Sequence, residues 1–332
     1  MRPCPICNSP SSKYCGEVPG YIKSRFYKVQ CCEPCNLHFV ETDEDVSSVY
    51  RMIYKHRNKV SGYSRYHEFA SGVLTHPDPL LWLARQEDVY WGVMNFLLRM
   101  PENGARRQTR IVDLGCGLGY LTYALNKAGF DCHGIDISAT AIQTARQQFG
   151  DHFTQSAIEE LHAVIREPCD VIILAELIEH LPNPLATLRT CLSVLKPTGT
   201  ILLTTPNKSA YPDSTVWISD PPPVHLQFFS EASIRQMAKM LDCQVDFVDF
   251  THYNRFNYLP RCKGKIIGPP VHHVFDVNEE PIETPAPQEK LLVSLAKYLK
   301  AHRILSIARA CAVQAFFPIR FRTVLCAAMS RM

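Results

Sequence analysis

Asp113 stands two residues ahead of Gly115, the first of the three glycines 115, 117 and 119 in the stretch "IVDLGCGLGY". A glycine-rich turn after an apolar strand lets backbone amides approach a nucleotide closely. A dinucleotide fingerprint, G-x-G-x-x-G, would put its third glycine at Tyr120, where a bulky ring opposes close helix–strand packing. A phosphate loop needs a Lys-Ser or Lys-Thr pair after the glycines, and none follows. The Asp113 carboxylate would repel a pyrophosphate and attract a ligand that carries an ammonium and a sulfonium. S-adenosylmethionine carries both. Asp136 closes the next apolar stretch, "HGIDIS", where an acid can accept hydrogen bonds from both ribose hydroxyls.

The second group is sulfur. "CPIC" and "CEPC" place Cys4, Cys7, Cys32 and Cys35 as two C-x2-C knuckles, the pattern of a tetrahedral structural zinc ribbon. The loop between the pairs is slightly longer than usual. Cys31 could replace Cys32, although only Cys32 completes the knuckle; Cys15 is a weaker ligand candidate. Free thiols are the plain alternative.

The third group is histidine. His180 follows Glu179 in "AELIEHLPNP", and His225 lies in "DPPPVHLQFFS". Histidine titrates near neutral pH and suits a base that removes a hydroxyl proton. Each could instead make a local structural contact. Tyr63 and Tyr66 in "SGYSRY" could close over a bound ligand or simply pack on the surface.

Strands must position these groups. The apolar runs predict strands at 110–114, 132–136, 170–175, 200–205 and 244–250. Between them lie helical patterns: "YLTYALNKAGF", ended by Gly129; "SATAIQTARQQFG", capped by Ser138 and ended by Gly150; and "NPLATLRTCLSVLKPTG", opened by Pro184. Such alternation predicts a parallel sheet covered on both faces. Earlier in the chain, "LLWLARQEDVYWGVMNFLLRM" reads as one amphipathic helix that Pro101 ends.

With these residues in place, "VDLGCGLGYLTYAL…HGIDIS" resembles motif I and the following acidic strand end of class I S-adenosylmethionine-dependent methyltransferases. "CDVIILAELIEHLPNP", "LSVLKPTGTILLTTPN" and "PPPVHLQFFSEASIRQMAKMLDCQV" are similar to later segments of that family, so the likeness runs over roughly 109–250. It implies an α/β fold: a Rossmann-like, seven-stranded, mostly parallel sheet with helices on both faces and the last strand antiparallel. It further implies that Asp113, Gly115, Gly117 and Gly119 hold the methionine end. Asp136 would hold the ribose, Ile137 would lie against adenine, and Ala157 and Ile158 would line the adenine edge. Ala157 stands where many relatives carry an acid. Ala175, Glu176 and Leu177 would sit beneath the methyl group.

The expected domains are a small N-terminal zinc ribbon at 1–44, a helical and irregular lid and linker at 45–108, and the cofactor-binding domain at 109–255. A Pro-rich linker and C-terminal helical tail fill 256–332. That tail carries eight Lys or Arg and no acid from Lys290 onward, which fits a helix on an anionic membrane surface or a helix covering its own sheet.

Apolar residues at 46% and charged residues at 20% describe a globular chain of 332 residues. A net charge of +3 gives no strong nucleic-acid signal. Without an apolar leader or membrane span, the expected location is cytoplasmic, with peripheral contact at the inner membrane face through the tail. In that reducing compartment the 14 cysteines are expected to be thiols or metal ligands. The leading reading is methyl transfer to a small-molecule or glycan-precursor acceptor at oxygen, with S-adenosylmethionine and structural Zn2+. Two rivals use the same residues: an RNA methyltransferase with the ribbon as reader, and a non-catalytic scaffold with a blocked methyl channel.

Overall fold

The structure is a computed structural model. It describes residues 3–10, 13–42, 44, 46–56, 59–60, 63–99, 105–254, 261–262, 265–266, 271–282 and 323–332. A ribbon of β1 (Lys13–Pro19), β2 (Phe26–Cys32) and β3 (Leu37–Val40) comes first. Helices α1 (Ser47–Lys55), α2 (Ser64–Thr75), α3 (Pro79–Gln86), α4 (Asp88–Leu97) and α5 (Ala105–Gln108) follow. Then come β4 (Arg110–Leu114), α6 (Tyr120–Lys127), β5 (Asp131–Asp136), α7 (Ala139–Phe149), β6 (Phe153–Gln155), α8 (Leu161–Val164) and β7 (Cys169–Ala175). The chain continues through α9 (Pro184–Val194), β8 (Leu195–Pro206), β9 (Gln227–Phe228), α10 (Glu231–Met240), β10 (Cys243–Phe247) and α11 (Thr251–Asn254). A short hairpin of β11 (Arg261–Cys262) and β12 (Lys265–Ile266) precedes β13 (Val324–Arg331).

The main sheet has seven strands in the order β10-β13-β8-β7-β4-β5-β6. Strand β13 runs antiparallel to both neighbours, and the other pairings are parallel. The expected Rossmann-like sheet is therefore present. Val171, Ile172, Ile173 and Leu174 are fully buried because helices cover both faces of a parallel sheet. One face carries Leu114, Ile135, Ile172 and Leu203 with α9 and α10; the other carries Ile111, Val171 and Ile173 with α2, α3, α4 and α6.

The helix starts read at Ser138 and Pro184 form. The Ser138 hydroxyl accepts from the Ala141 amide, and the Asn183 side chain accepts from the Ala186 amide with Pro184 in the first turn of α9. Each such cap stabilises its helix by about 1 kcal/mol.

Three expectations change. The single helix before Pro101 is two, α3 and α4, broken at Glu87, whose backbone is extended at φ −140° and ψ 150°. The boundary at 109 does not separate cores, since Phe69, Leu83 and Val93 pack in one cluster with Ile111 and Val171. The end of the tail is not helical: β13 fills the slot between β8 and β10, where alternating contacts on two faces favour "VLCAAMSR" as a strand. The rest of the tail, including the proposed membrane helix, lies outside the described residues. No helix among the described residues is long and apolar enough to cross a membrane.

Candidate functional site

The glycine loop turns from β4 into α6 at the C-terminal edge of the sheet, where open α/β sheets hold ligands. Gly115, Gly117 and Gly119 all adopt positive φ, at 78°, 51° and 80°. The space around them differs. A Cβ on Gly119 would stand 2.6 Å from the Phe153 ring, and one on Gly115 would stand 3.0 Å from Leu177. A Cβ on Gly117 would meet nothing within 4 Å. Gly119 thus serves helix–strand packing, while Gly117 faces open space.

Asp136 fixes that loop. Its Oδ2 accepts from the Gly117 amide at 2.9 Å, and its Oδ1 accepts from the Ser138 amide at 2.8 Å. The carboxylate remains half-buried and keeps lone pairs for further donors. Beside it Ile137 is 73% exposed, a large apolar side chain left in solvent at the position expected to meet adenine. Ile158 is half-buried and Ala157 precedes its turn.

Asp113 takes a different place from the one its sequence position implies. Its side chain is buried under the loop and accepts from the Thr122 hydroxyl at 2.7 Å. Burial pushes its carboxyl up to about 6. It ties the end of β4 to the first turns of α6, which follows the loop.

After β7 the chain turns sharply. Glu176 has φ 53°, and its amide donates to the Thr204 hydroxyl at 3.0 Å and the Thr204 carbonyl at 3.2 Å. A non-glycine residue held there costs about 1–3 kcal/mol, a strain that clusters at ligand sites. One carboxylate oxygen of Glu176 is buried without a partner. Burial and the neighbouring Glu179 push Glu176 well above the usual carboxyl range.

The histidines converge. The rings of His180 and His225 meet edge to face with centroids 4.5 Å apart. The Nδ1 of His180 lies 2.9 Å from the Val224 carbonyl and 3.2 Å from the Tyr50 hydroxyl. His225 is 6% exposed; its Nδ1 has no partner, and its Nε2 stands 4.0 Å from both Glu179 and Asp220. Burial pushes both imidazoles down to about 3, so they are neutral at physiological pH. Glu179 is fully buried; burial pushes it up to about 8, an effect its own backbone amide and the nearby Thr205 hydroxyl only partly offset.

Tyr63 and Tyr66 meet edge to face, their centroids 5.7 Å apart. The Tyr63 hydroxyl lies 3.3 Å from that of Tyr21 in the ribbon, and Arg65 stacks over Tyr66 while pairing with Glu87 at 2.8 Å. Tyr66 continues through Phe69 to Tyr120 beside the glycine loop. A cavity of about 370 Å³ opens among Arg65, Glu176, Tyr211, Asp220 and His225. Sequence reasoning missed Arg65, Glu179 and Asp220. Glu179 and Asp220 flank the two histidines in the quoted motifs, but burial of a carboxylate has no sequence signature.

In the ribbon, Cys4, Cys7, Cys32 and Cys35 bring their sulfurs within 4.8 Å of one another. The Cys4–Cys35 and Cys7–Cys32 sulfurs are 3.9 and 3.6 Å apart. Four sulfurs at about 2.3 Å from a tetrahedral zinc stand about 3.8 Å apart, so the set fits that ion. Cys32, not Cys31, completes it. Cys31 points to the other face of β2 and is joined to Cys15 in a disulfide, contrary to the expectation of free thiols.

The ribbon is tied to the histidine loop. β3 pairs with β9, the Val40 amide donates to the Leu226 carbonyl at 3.0 Å, and the Leu226 amide donates to the Glu179 carbonyl at 2.8 Å. His225 thus hangs between the ribbon and the turn after β7.

Residues 85–246 match a methyltransferase domain family. A ubiquinone biosynthesis O-methyltransferase of Haemophilus ducreyi is 33% identical over 109 residues, 30% of this chain and 46% of the relative. One from Methylococcus capsulatus is 36% identical over 105 residues, 30% of this chain and 44% of the relative. The chain spans about half the length of the curated relatives it matches. Among solved structures, magnesium protoporphyrin IX methyltransferase from Synechocystis is 19% identical with a TM-score of 0.42, covering 63% of this chain and 92% of that one. A SAM-dependent methyltransferase from Archaeoglobus fulgidus is 15% identical with a TM-score of 0.38, covering 67% and 86%. The fold rests on the strand order above rather than on these scores.

Proposed function

We propose that the protein transfers the methyl group of S-adenosylmethionine to a hydroxyl of a small-molecule or glycan-precursor acceptor. One observation carries this reading. The loop that leaves open space at Gly117 and the cavity lined by Glu176 and His225 lie at one edge of one sheet. A scaffold with a blocked methyl channel would fill that cavity instead. The oxygen acceptor draws support from the O-methyltransferase relatives.

Asp136 would accept the ribose hydroxyls, Ile137 would cover adenine, and Glu176 would face the positive end of the cofactor. S-adenosylmethionine supplies an electrophilic methyl whose transfer discharges a sulfonium. The chain's own work is alignment, exclusion of water and proton removal. His225, whose buried Nδ1 has no partner, would accept the acceptor's hydroxyl proton, and His180 holds its ring from the side. Protonation of His225 would draw Glu179, neutral at rest and 4.0 Å from Nε2, toward its ionised form; Asp220 stands at the same distance. Tyr63 and Tyr66 would line the acceptor side. Cys4, Cys7, Cys32 and Cys35 would hold a structural zinc with no open coordination position, leaving it no direct chemical role.

The test is turnover of S-adenosylmethionine to S-adenosylhomocysteine across a panel of phenolic, sugar and RNA acceptors. Product formation with a hydroxylated small molecule supports the proposal. Exclusive methylation of RNA overturns it.

A further inference from the structure

Cys15, Cys31 and His38 form a second cluster, separate from the first, with one ligand atom from each within 4.8 Å of the others. They sit on three adjacent strands. Cys15 lies at the β1 bulge between Tyr14 and Gly16, Cys31 is on β2, and His38 is directly opposite Cys31 on β3. Successive residues of a strand face opposite sides. Cys31 and Cys32 therefore send their sulfurs to opposite faces of the ribbon, Cys32 to the four-sulfur site and Cys31 to this one.

The imidazole is held as a metal ligand is held. Its Nδ1 donates to the Val216 carbonyl at 2.8 Å, which fixes the ring and leaves Nε2 as the nitrogen with a free lone pair. Two thiolates and an imidazole suit zinc. Cys15 and Cys31 are half-buried, so solvent can reach a fourth position.

We propose that Cys15, Cys31 and His38 make a second zinc site, which the Cys15–Cys31 disulfide excludes. Two low-mass thiols reduce the disulfide, giving it two electrons and two protons and leaving as their own disulfide. The two cysteine thiols then release their protons as zinc binds. The site clasps the segment at Val216, which runs on to Asp220 and His225 in the cavity. Its occupancy therefore bears on how the acceptor side is held.

The test is zinc stoichiometry by elemental analysis on the full chain, loaded with zinc alone. Reduced protein should bind one more zinc than disulfide-bonded protein. Cys31→Ser and His38→Gln, each checked for folding by circular dichroism, should lose that equivalent. His38→Gln should still form the disulfide, which separates loss of a ligand from loss of the fold. The four-sulfur site is tested apart, because only the difference between wild type and Cys31→Ser reports the second site. Equal zinc content in reduced wild type, Cys31→Ser and His38→Gln overturns the proposal.

Discussion

Two glycines of one loop should respond oppositely to the same small change. Gly119→Ala places a methyl 2.6 Å from the Phe153 ring and 2.8 Å from Ala145. Overpacking costs about 1–3 kcal/mol, and the left-handed backbone adds about 1–2 kcal/mol. The loss of about 2–5 kcal/mol falls on the fold. Gly117→Ala meets nothing within 4 Å, so its cost to the free protein is the backbone term alone, about 1–2 kcal/mol. Its methyl occupies the space assigned to the cofactor, and a loss of about 1.4 kcal/mol or more there weakens binding tenfold. Thermal unfolding reads the first effect, and calorimetry with S-adenosylhomocysteine reads the second. Gly117→Ala should melt within a few degrees of wild type yet bind at least tenfold more weakly. Wild-type affinity in Gly117→Ala would refute the assignment of that space.

Three further outcomes follow from the same geometry. His225→Gln should lower kcat by about 10²-fold with S-adenosylhomocysteine affinity unchanged, the size of a lost general base; full activity would remove His225 from the mechanism. Stripping the four-sulfur site with a chelator should cut turnover at least about tenfold while cofactor binding falls far less, since β3 holds the strand beside His225; parallel loss of both would place the metal's effect on the whole fold. Glu179 ionises at about 4.5 when unfolded and about 8 when folded, so its contribution is present below 4.5 and lost as pH rises through 8. The melting temperature of Glu179→Gln relative to wild type should therefore rise across that window; a flat difference would show that Glu179 is not buried as a neutral acid.

The sheet was legible because its strands are short apolar runs separated by helices whose caps sit in the sequence. β6 was not, because it is only three residues long, and nor was β13, because "VLCAAMSR" pairs with β8 across more than a hundred residues of chain and carries no local strand signal. The glycine loop and Asp136 were legible from backbone needs alone. Asp113 was legible as an acid near the loop, but its burial against Thr122 depends on how α6 packs. The acceptor side was only partly legible. His180 and His225 lie 45 positions apart in sequence and meet only because the β9 pairing folds the proline loop back over β7. Glu87 illustrates the converse: it breaks an otherwise regular helical pattern and pairs with Arg65 beside the cavity.

The most direct test of the central claim is calorimetry of S-adenosylhomocysteine with wild-type protein and Asp136→Ala. Two hydroxyl hydrogen bonds to a carboxylate contribute about 1.5–3 kcal/mol each. The expected result is binding at one site per chain, weakened about 10²-fold or more in the variant. Equal tight binding by both proteins, or no binding by wild type, would contradict the claim that this loop and this carboxylate hold the cofactor.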